Sequence, residues 1–142
     1  MNAERFSLLS LAFLMTLSLG LTQCHDTRQQ ASLPSGPGLE QGIEVLGVEL
    51  MAGGDLARLN YRVTDYEKAK RAMAGEIQLY AAGDTHALAV TDVGRLGPMK
   101  QRPSRNGVKQ FIIFTNSGRV LRSGTTAILG IGADRIPDIP VS

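Results

Sequence analysis

The sequence predicts an all-β domain, an antiparallel immunoglobulin-like β-sandwich of about seven strands with one short helix. Short segments rich in β-branched and aliphatic residues recur at intervals of roughly 8 to 12 residues, which is the spacing of such sandwiches. Glycine-containing turns separate these segments, and helical periodicity occurs in a single stretch. A small closed barrel is the alternative that the same pattern allows.

The first two strands are predicted as an antiparallel hairpin. Residues 42–51 are mostly aliphatic, and the turn residues Gly53-Gly54-Asp55 follow them. Residues 55–65 then alternate with period two, which indicates a strand with one buried and one wet face. The residues expected on the buried face are Ala57, Leu59, Tyr61 and Val63.

A helix is predicted across residues 64–75, at one end of the sandwich. Thr64 and Glu67 have the spacing of a capping box, and the Ala, Lys and Arg residues that follow favour helix. Gly75 is expected to end the helix in a left-handed conformation.

The second half of the domain contains the remaining strands and one long loop. The loop, residues 93–107, has three Gly and two Pro and is too interrupted for regular structure. Residues 108–116 form the most apolar strand, which we expect to be central and buried on both faces. The other predicted strands are 76–82 and 86–92 around a Gly83-Asp84 turn, 125–133, and an edge strand in 135–142 limited by Pro137 and Pro140.

The first 23 residues have the layout of a secretory signal. Arg5 precedes a run of 16 residues, Phe6 to Leu21, that contains no charge. Because a helix that spans a bilayer needs ~20 apolar residues, a permanent transmembrane anchor is the weaker interpretation.

The only cysteine stands just after this run, in a sequence that resembles the lipobox of bacterial lipoproteins. Leu21 and Thr22 match the pattern, and Gln23 stands where it usually has Gly, Ala or Ser. The resemblance implies lipidation of Cys24 and attachment to a membrane facing the periplasm. His25, where an Asp would favour inner-membrane retention, points to the outer membrane. The alternative is an incidental thiol beside an ordinary cleavage site, which would give a soluble periplasmic protein.

The sequence after Cys24 divides into a tether and one domain. Residues 24–41 are rich in Pro, Gly and polar residues, as flexible linkers are, so we predict the lipid anchor and tether there and the sandwich in residues 42–142. Removal of residues 1–23 takes away one base and one acid, so the formal charge stays at +2. This mild balance argues against nucleic acid as the main partner.

Candidate catalytic and metal-binding residues are sparse. Beyond the tether the domain has one histidine, His86, and no cysteine, so we expect neither an enzyme nor a cofactor and interpret His86 as a solvated turn residue. The alternative function is a metal-handling or accessory subunit in which His86 and Met99 bind a soft copper ion.

One segment of the domain has an unusual excess of basic residues. Between Val93 and Arg122 there are seven basic residues and no acidic one: Arg95, Lys100, Arg102, Arg105, Lys109, Arg119 and Arg122. If the long loop and the turn after it lie at neighbouring edges, they form a basic surface. Its partner would be an anionic envelope component, such as anionic lipid, lipopolysaccharide phosphate or an acidic polymer, or an acidic protein. The alternative is a plainly solvated loop.

Three segments of the domain resemble an uncharacterised group of small exported bacterial proteins. They are YRVTDYEKA at 61–69, FIIFTNSGRVLRSG at 111–124 and ILGIG at 128–132. The resemblance implies a small exported β domain and carries no catalytic motif. It supports the β fold and leaves the function open. From the lipobox, the sparse catalytic residues and the basic segment, we expect a cell-envelope lipoprotein whose sandwich has a non-enzymatic binding or assembly role.

Overall fold

The computed structural model describes residues 36–142, and these residues confirm the predicted all-β sandwich with one helix. The lipobox, with Cys24 and His25, lies outside the described residues. The elements are β1 (Ile43–Met51), β2 (Leu56–Val63), α1 (Tyr66–Ala74), β3 (Ile77–Ala81), β4 (Ala87–Ala89), β5 (Lys109–Thr115), β6 (Thr126–Ile131) and β7 (Asp134–Pro140). No helix in this part of the chain is long and apolar enough to cross a membrane.

Two antiparallel sheets have the strand orders β1-β2-β5 and β4-β3-β6-β7. The chain therefore leaves the first sheet after β2, forms β3 and β4 in the second sheet, and returns to the first as β5. This is a Greek-key arrangement, and the two sheets correspond to the strand sets A-B-E and C′-C-F-G of immunoglobulin-like sandwiches.

The two sheets also meet along both edges, a feature of the barrel alternative. At one edge the chain beyond β7 pairs in parallel with β1, where the Ser142 amide donates to the Val48 carbonyl over 2.9 Å. At the other edge the Thr91 amide donates to the Ile113 carbonyl of β5 over 2.8 Å. These contacts cover sheet edges that would otherwise present unpaired backbone groups.

The core lies between the sheets and follows the predicted alternation. Every second residue of β2 is fully buried, and the inward residues of β3 and β6 are buried as well. Truncation of such a side chain, for example Leu59 or Leu79 to Ala, costs about 2–5 kcal/mol in comparable cores. The buried face of β2 consists of Ala57, Leu59, Tyr61 and Val63.

The prediction that residues 108–116 form a central strand is wrong. β5 is the outer strand of the three-stranded sheet. Its inward residues Ile112 and Phe114 are fully buried, and on the other face Ile113 is also buried while Phe111 is partly buried. The second apolar face exists because the loop before β5 covers it, not because further strands flank it.

The N-cap of the helix lies one residue later than predicted. The side-chain Oδ1 of Asp65 accepts a hydrogen bond from the Lys68 amide over 3.1 Å, so Asp65 rather than Thr64 is the N-cap. The Thr64 amide donates to the Gly42 carbonyl and belongs to the turn after β2. Gly75 ends the helix with an extended backbone, not a left-handed one.

Residues 36–41, which the sequence assigned to the tether, pack onto the sandwich. The Val45 amide donates to the Pro37 carbonyl over 2.8 Å, and Leu39–Gln41 forms a single 3-10 turn. Gly42 follows with φ of 75°, and a Cβ there would lie 2.5 Å from the Asp65 carbonyl oxygen. This close approach brings the start of β1 against the start of the helix.

Candidate functional site

The long loop before β5 is partly a strand-like cover for the edge of the sheet. The Ile113 amide donates to the Met99 carbonyl over 2.9 Å, and the Gln101 amide donates to the Phe111 carbonyl over 3.0 Å. The Gln101 side chain adds a third contact, in which its Oε1 accepts from the Phe111 amide over 3.1 Å. Residues 99–101 therefore have a fixed position although Pro98 and Pro103 exclude a regular strand.

A buried polar network fixes the next part of the loop. The Tyr61 hydroxyl lies 2.8 Å from the Gln101 carbonyl oxygen and 2.9 Å from Oε1 of Gln110, so two acceptors share its proton. The Gln110 Nε2 in turn donates to Oγ of Ser104 over 3.2 Å. Burial raises the pKa of Tyr61 to about 12, which keeps the hydroxyl protonated as a donor.

The helix and this part of the loop form the two walls of a cavity of about 540 Å³, which we call the basic groove. Its volume is within the range of small-molecule sites. Three cationic side chains and no carboxylate line it. The lining residues are Tyr66, Lys70, Met73 and Ala74 from the helix and Lys100, Gln101, Arg102 and Pro103 from the loop.

Two of the three cations in the basic groove have contacts within the protein. Lys100 Nζ donates to the Met73 carbonyl at the end of the helix over 3.0 Å, which ties the two walls together. Lys70 Nζ lies 5.7 Å from the centre of the Tyr66 ring, a cation–π distance. Arg102 is exposed on the loop wall. Each cation retains donors that can face a bound anion.

The predicted basic residues fall into separate groups, so the single basic surface expected from the sequence does not form. Lys100 and Arg102 line the basic groove. Arg105 and Lys109 are exposed at the helix end of the sandwich, where Lys109 pairs with Arg62 on β2. Arg95 stands apart in a 3-10 turn at Gly94–Leu96.

Arg119 and Arg122 follow β5 and lie at its opposite end. The seven residues of β5 separate this end from Lys109 by ~20 Å. Arg119 is also paired, because its Nε donates to Oδ1 of Asp55 over 2.8 Å. The hydrogen bond from Arg119, and then its charge, lower the pKa of Asp55. Asp55 lies 64 residues earlier in the chain, so a count of the charges between Val93 and Arg122 does not include it.

Tyr66 and Lys70 are among the lining residues that the sequence did not predict as site residues. They stand four residues apart on α1, and Met73 and Ala74 follow on the same face. This spacing was a usable signal, but only once the helix was known to face the loop.

The residues of the metal alternative do not come together. His86 is an exposed turn residue whose amide donates to Oδ1 of Asp84. Met99 lies beside Thr91, because the Met99 amide donates to the Thr91 carbonyl. The chain from His86 to Thr91 runs through β4 and corresponds to ~16 Å of extended strand, which separates His86 from Met99. Among residues 36–142 no three His, Cys, Asp or Glu side chains cluster as metal ligands would.

Comparison of the chain with protein-family models, with curated proteins and with solved structures found no match.

Proposed function

We propose that this protein is a bacterial cell-envelope lipoprotein, anchored through Cys24, whose sandwich domain binds an anionic envelope component in the basic groove. The observation that carries the binding role is the lining of the groove, which has three cations and no carboxylate. The anchor rests on the uncharged run and the lipobox-like sequence that precede the domain.

The lining favours binding over catalysis. It offers no carboxylate, imidazole or thiol, and two of its three cations are engaged in contacts within the protein. Tyr66, Met73 and Pro103 instead give an apolar surface beside the cations. Such a groove suits a ligand with a phosphate or carboxylate group attached to a less polar body.

The position of the basic groove is also well defined, as a binding site requires. One wall is a capped helix, and the other is held by the Tyr61 network and by the contact of Lys100 with Met73. A groove with fixed walls loses little conformational entropy when a ligand binds.

Inorganic pyrophosphate is a simple probe of this site. Titration of the protein, followed by NMR, is expected to shift the signals of residues around Lys70, Lys100 and Arg102. Raised salt should weaken the interaction, because the cations are close to solvent. The Lys70→Glu/Arg102→Glu variant should weaken it at least tenfold, which corresponds to about 1.4 kcal/mol.

The matched control is Arg119→Glu/Arg122→Glu, which changes the net charge equally at the other end of the sandwich. It should bind pyrophosphate as the natural protein does. Equal losses in both double variants would show that the protein attracts anions only through its overall charge, and the basic groove would then have no special role.

A further inference from the structure

A second exposed feature lies beside the basic groove. Residues 91–99 form a short hairpin, in which the Met99 amide donates to the Thr91 carbonyl over 2.8 Å and the Val93 amide donates to the Gly97 carbonyl over 3.1 Å. The hairpin is held to β5 by the bonds of Thr91 and Met99 to Ile113. Its base is therefore fixed against β5.

The apex of this hairpin exposes large apolar side chains. Leu96 is 85 % exposed, Val93 43 % and Met99 37 %. Together with Pro98 and Phe111 they line a shallow hollow of about 330 Å³. Single exposed apolar residues are common, but a contiguous group on a fixed loop indicates a contact surface. We call Val93, Leu96 and Met99 the apolar apex.

Basic residues flank the apolar apex. Arg95 precedes Leu96 on the apex itself, and Lys100 and Arg102 follow Met99 along the same loop. One acid, Asp92, stands at the base of the hairpin, where it pairs with Pro98. An apolar tip with flanking cations has the chemistry of elements that enter the interface of anionic membranes.

We propose that the 91–99 hairpin contacts the membrane, with the apolar apex in the interface of an anionic phospholipid bilayer. This inference rests on the lipid anchor of the proposed function. The 12 residue steps from Cys24 to Gly36 span at most ~40 Å, which keeps the domain close to the bilayer. Three apolar side chains bind weakly alone, but a tether raises their effective concentration into the millimolar range.

The chain contains no tryptophan, so one introduced residue serves as a specific fluorescent probe. The Leu96→Trp variant of the full chain is purified from bacterial membranes and reconstituted in vesicles of phosphatidylglycerol or phosphatidylcholine. We expect a blue-shifted emission that bromine-labelled lipid tails quench, in phosphatidylglycerol vesicles more than in phosphatidylcholine vesicles. Arg95→Glu in the same background should reduce both effects.

The control places the tryptophan outside the hairpin, at the exposed residue Ser123 in the loop between β5 and β6. The Ser123→Trp variant should float with the vesicles and keep a water-like, unquenched emission. If Leu96→Trp floats with the vesicles but its emission stays water-like, the inference is wrong and the anchor stands. Failure of both variants to float would overturn the anchor and, with it, the inference.

A second copy of the chain is the other occupant that the test separates. In the unlipidated Cys24→Ser background, Leu96→Trp without vesicles should have a water-like emission at all protein concentrations. A blue shift that grows with protein concentration would assign the apolar apex to self-association and overturn the membrane contact.

Discussion

The hydroxyl oxygen of Tyr61 lies 2.8 Å from the carbonyl oxygen of Gln101, 40 residues further along the chain. This contact joins the buried face of β2 to the loop wall of the basic groove. The Tyr61 side chain is fully buried, so its hydroxyl has no access to water as a substitute partner. The position of the loop thus depends on a residue of the core.

Removal of this hydroxyl should both destabilise the domain and loosen the groove. Tyr61→Phe leaves the Gln101 carbonyl and Oε1 of Gln110 without their shared donor, at a cost of about 1–3 kcal/mol in the free energy of unfolding. Urea denaturation measures this cost, and amide hydrogen exchange should become faster in residues 100–104.

The control for this variant is Tyr80→Phe. The Tyr80 hydroxyl bonds to Gln78 on a partly exposed surface, where water can replace the bond. We expect a change within about 0.5 kcal/mol. Equal costs for the two variants would contradict a special role of the Tyr61 network.

The same tyrosine predicts a stability change at alkaline pH. Burial raises the pKa of Tyr61 to about 12 from an ordinary value of 10.0, so the folded state retains this proton longer than the unfolded state does. Its contribution is complete below pH 10 and is lost as the pH rises towards 12. The difference in unfolding free energy between the natural protein and Tyr61→Phe should therefore shrink across this interval. A difference that stays constant from pH 10 to pH 12 would contradict a raised pKa of Tyr61.

Substitution of Gly53 and of Gly42 distinguishes the cost of a left-handed backbone from the cost of a steric clash. Gly53 has φ of 66° and open space where a Cβ would stand, so Gly53→Ala should cost only the left-handed backbone, about 1–2 kcal/mol. Gly42→Ala adds a clash with the Asp65 carbonyl and should cost at least about 1 kcal/mol more. Thermal or urea unfolding compares the stabilities of the two variants. Equal losses of stability would mean that the backbone at the junction of β1 and the helix relaxes to accommodate the added methyl group.

The charge of Arg119 is compensated within the protein by Asp55. The pKa of Asp55 is lowered in the folded protein, so its contribution to stability is present near neutral pH and is lost on acidification. NMR titration of Arg119→Gln should return the Asp55 pKa to its ordinary value, while Arg122→Gln should leave it lowered. An ordinary pKa in the natural protein would contradict this pairing.

Local patterns predicted the strands well because one-sided burial imposes a period of two. The alternation in β2 identified Ala57, Leu59, Tyr61 and Val63 as core residues, and all four are fully buried. For β5 the apolar residues on both faces led to the wrong prediction of a central strand. A loop, residues 99–101, runs along the edge of β5 in place of a further strand. Sequence alone does not distinguish these two covers.

The site was less predictable because it depends on contacts between distant segments. The sequence identified Lys100 and Arg102 as binding candidates, but their partner residues Tyr66 and Lys70 lie on a helix that precedes them by about thirty residues. The same limit applies to Arg119, whose charge is compensated by Asp55 from another hairpin. Charge counts along the chain do not include such pairs.

The intact mass of the protein purified from bacterial membranes decides whether Cys24 carries a lipid anchor. We expect a mass equal to residues 24–142 plus acyl-glyceryl groups, and loss of this added mass in a Cys24→Ser variant. An unmodified chain in the soluble fraction would contradict the anchor.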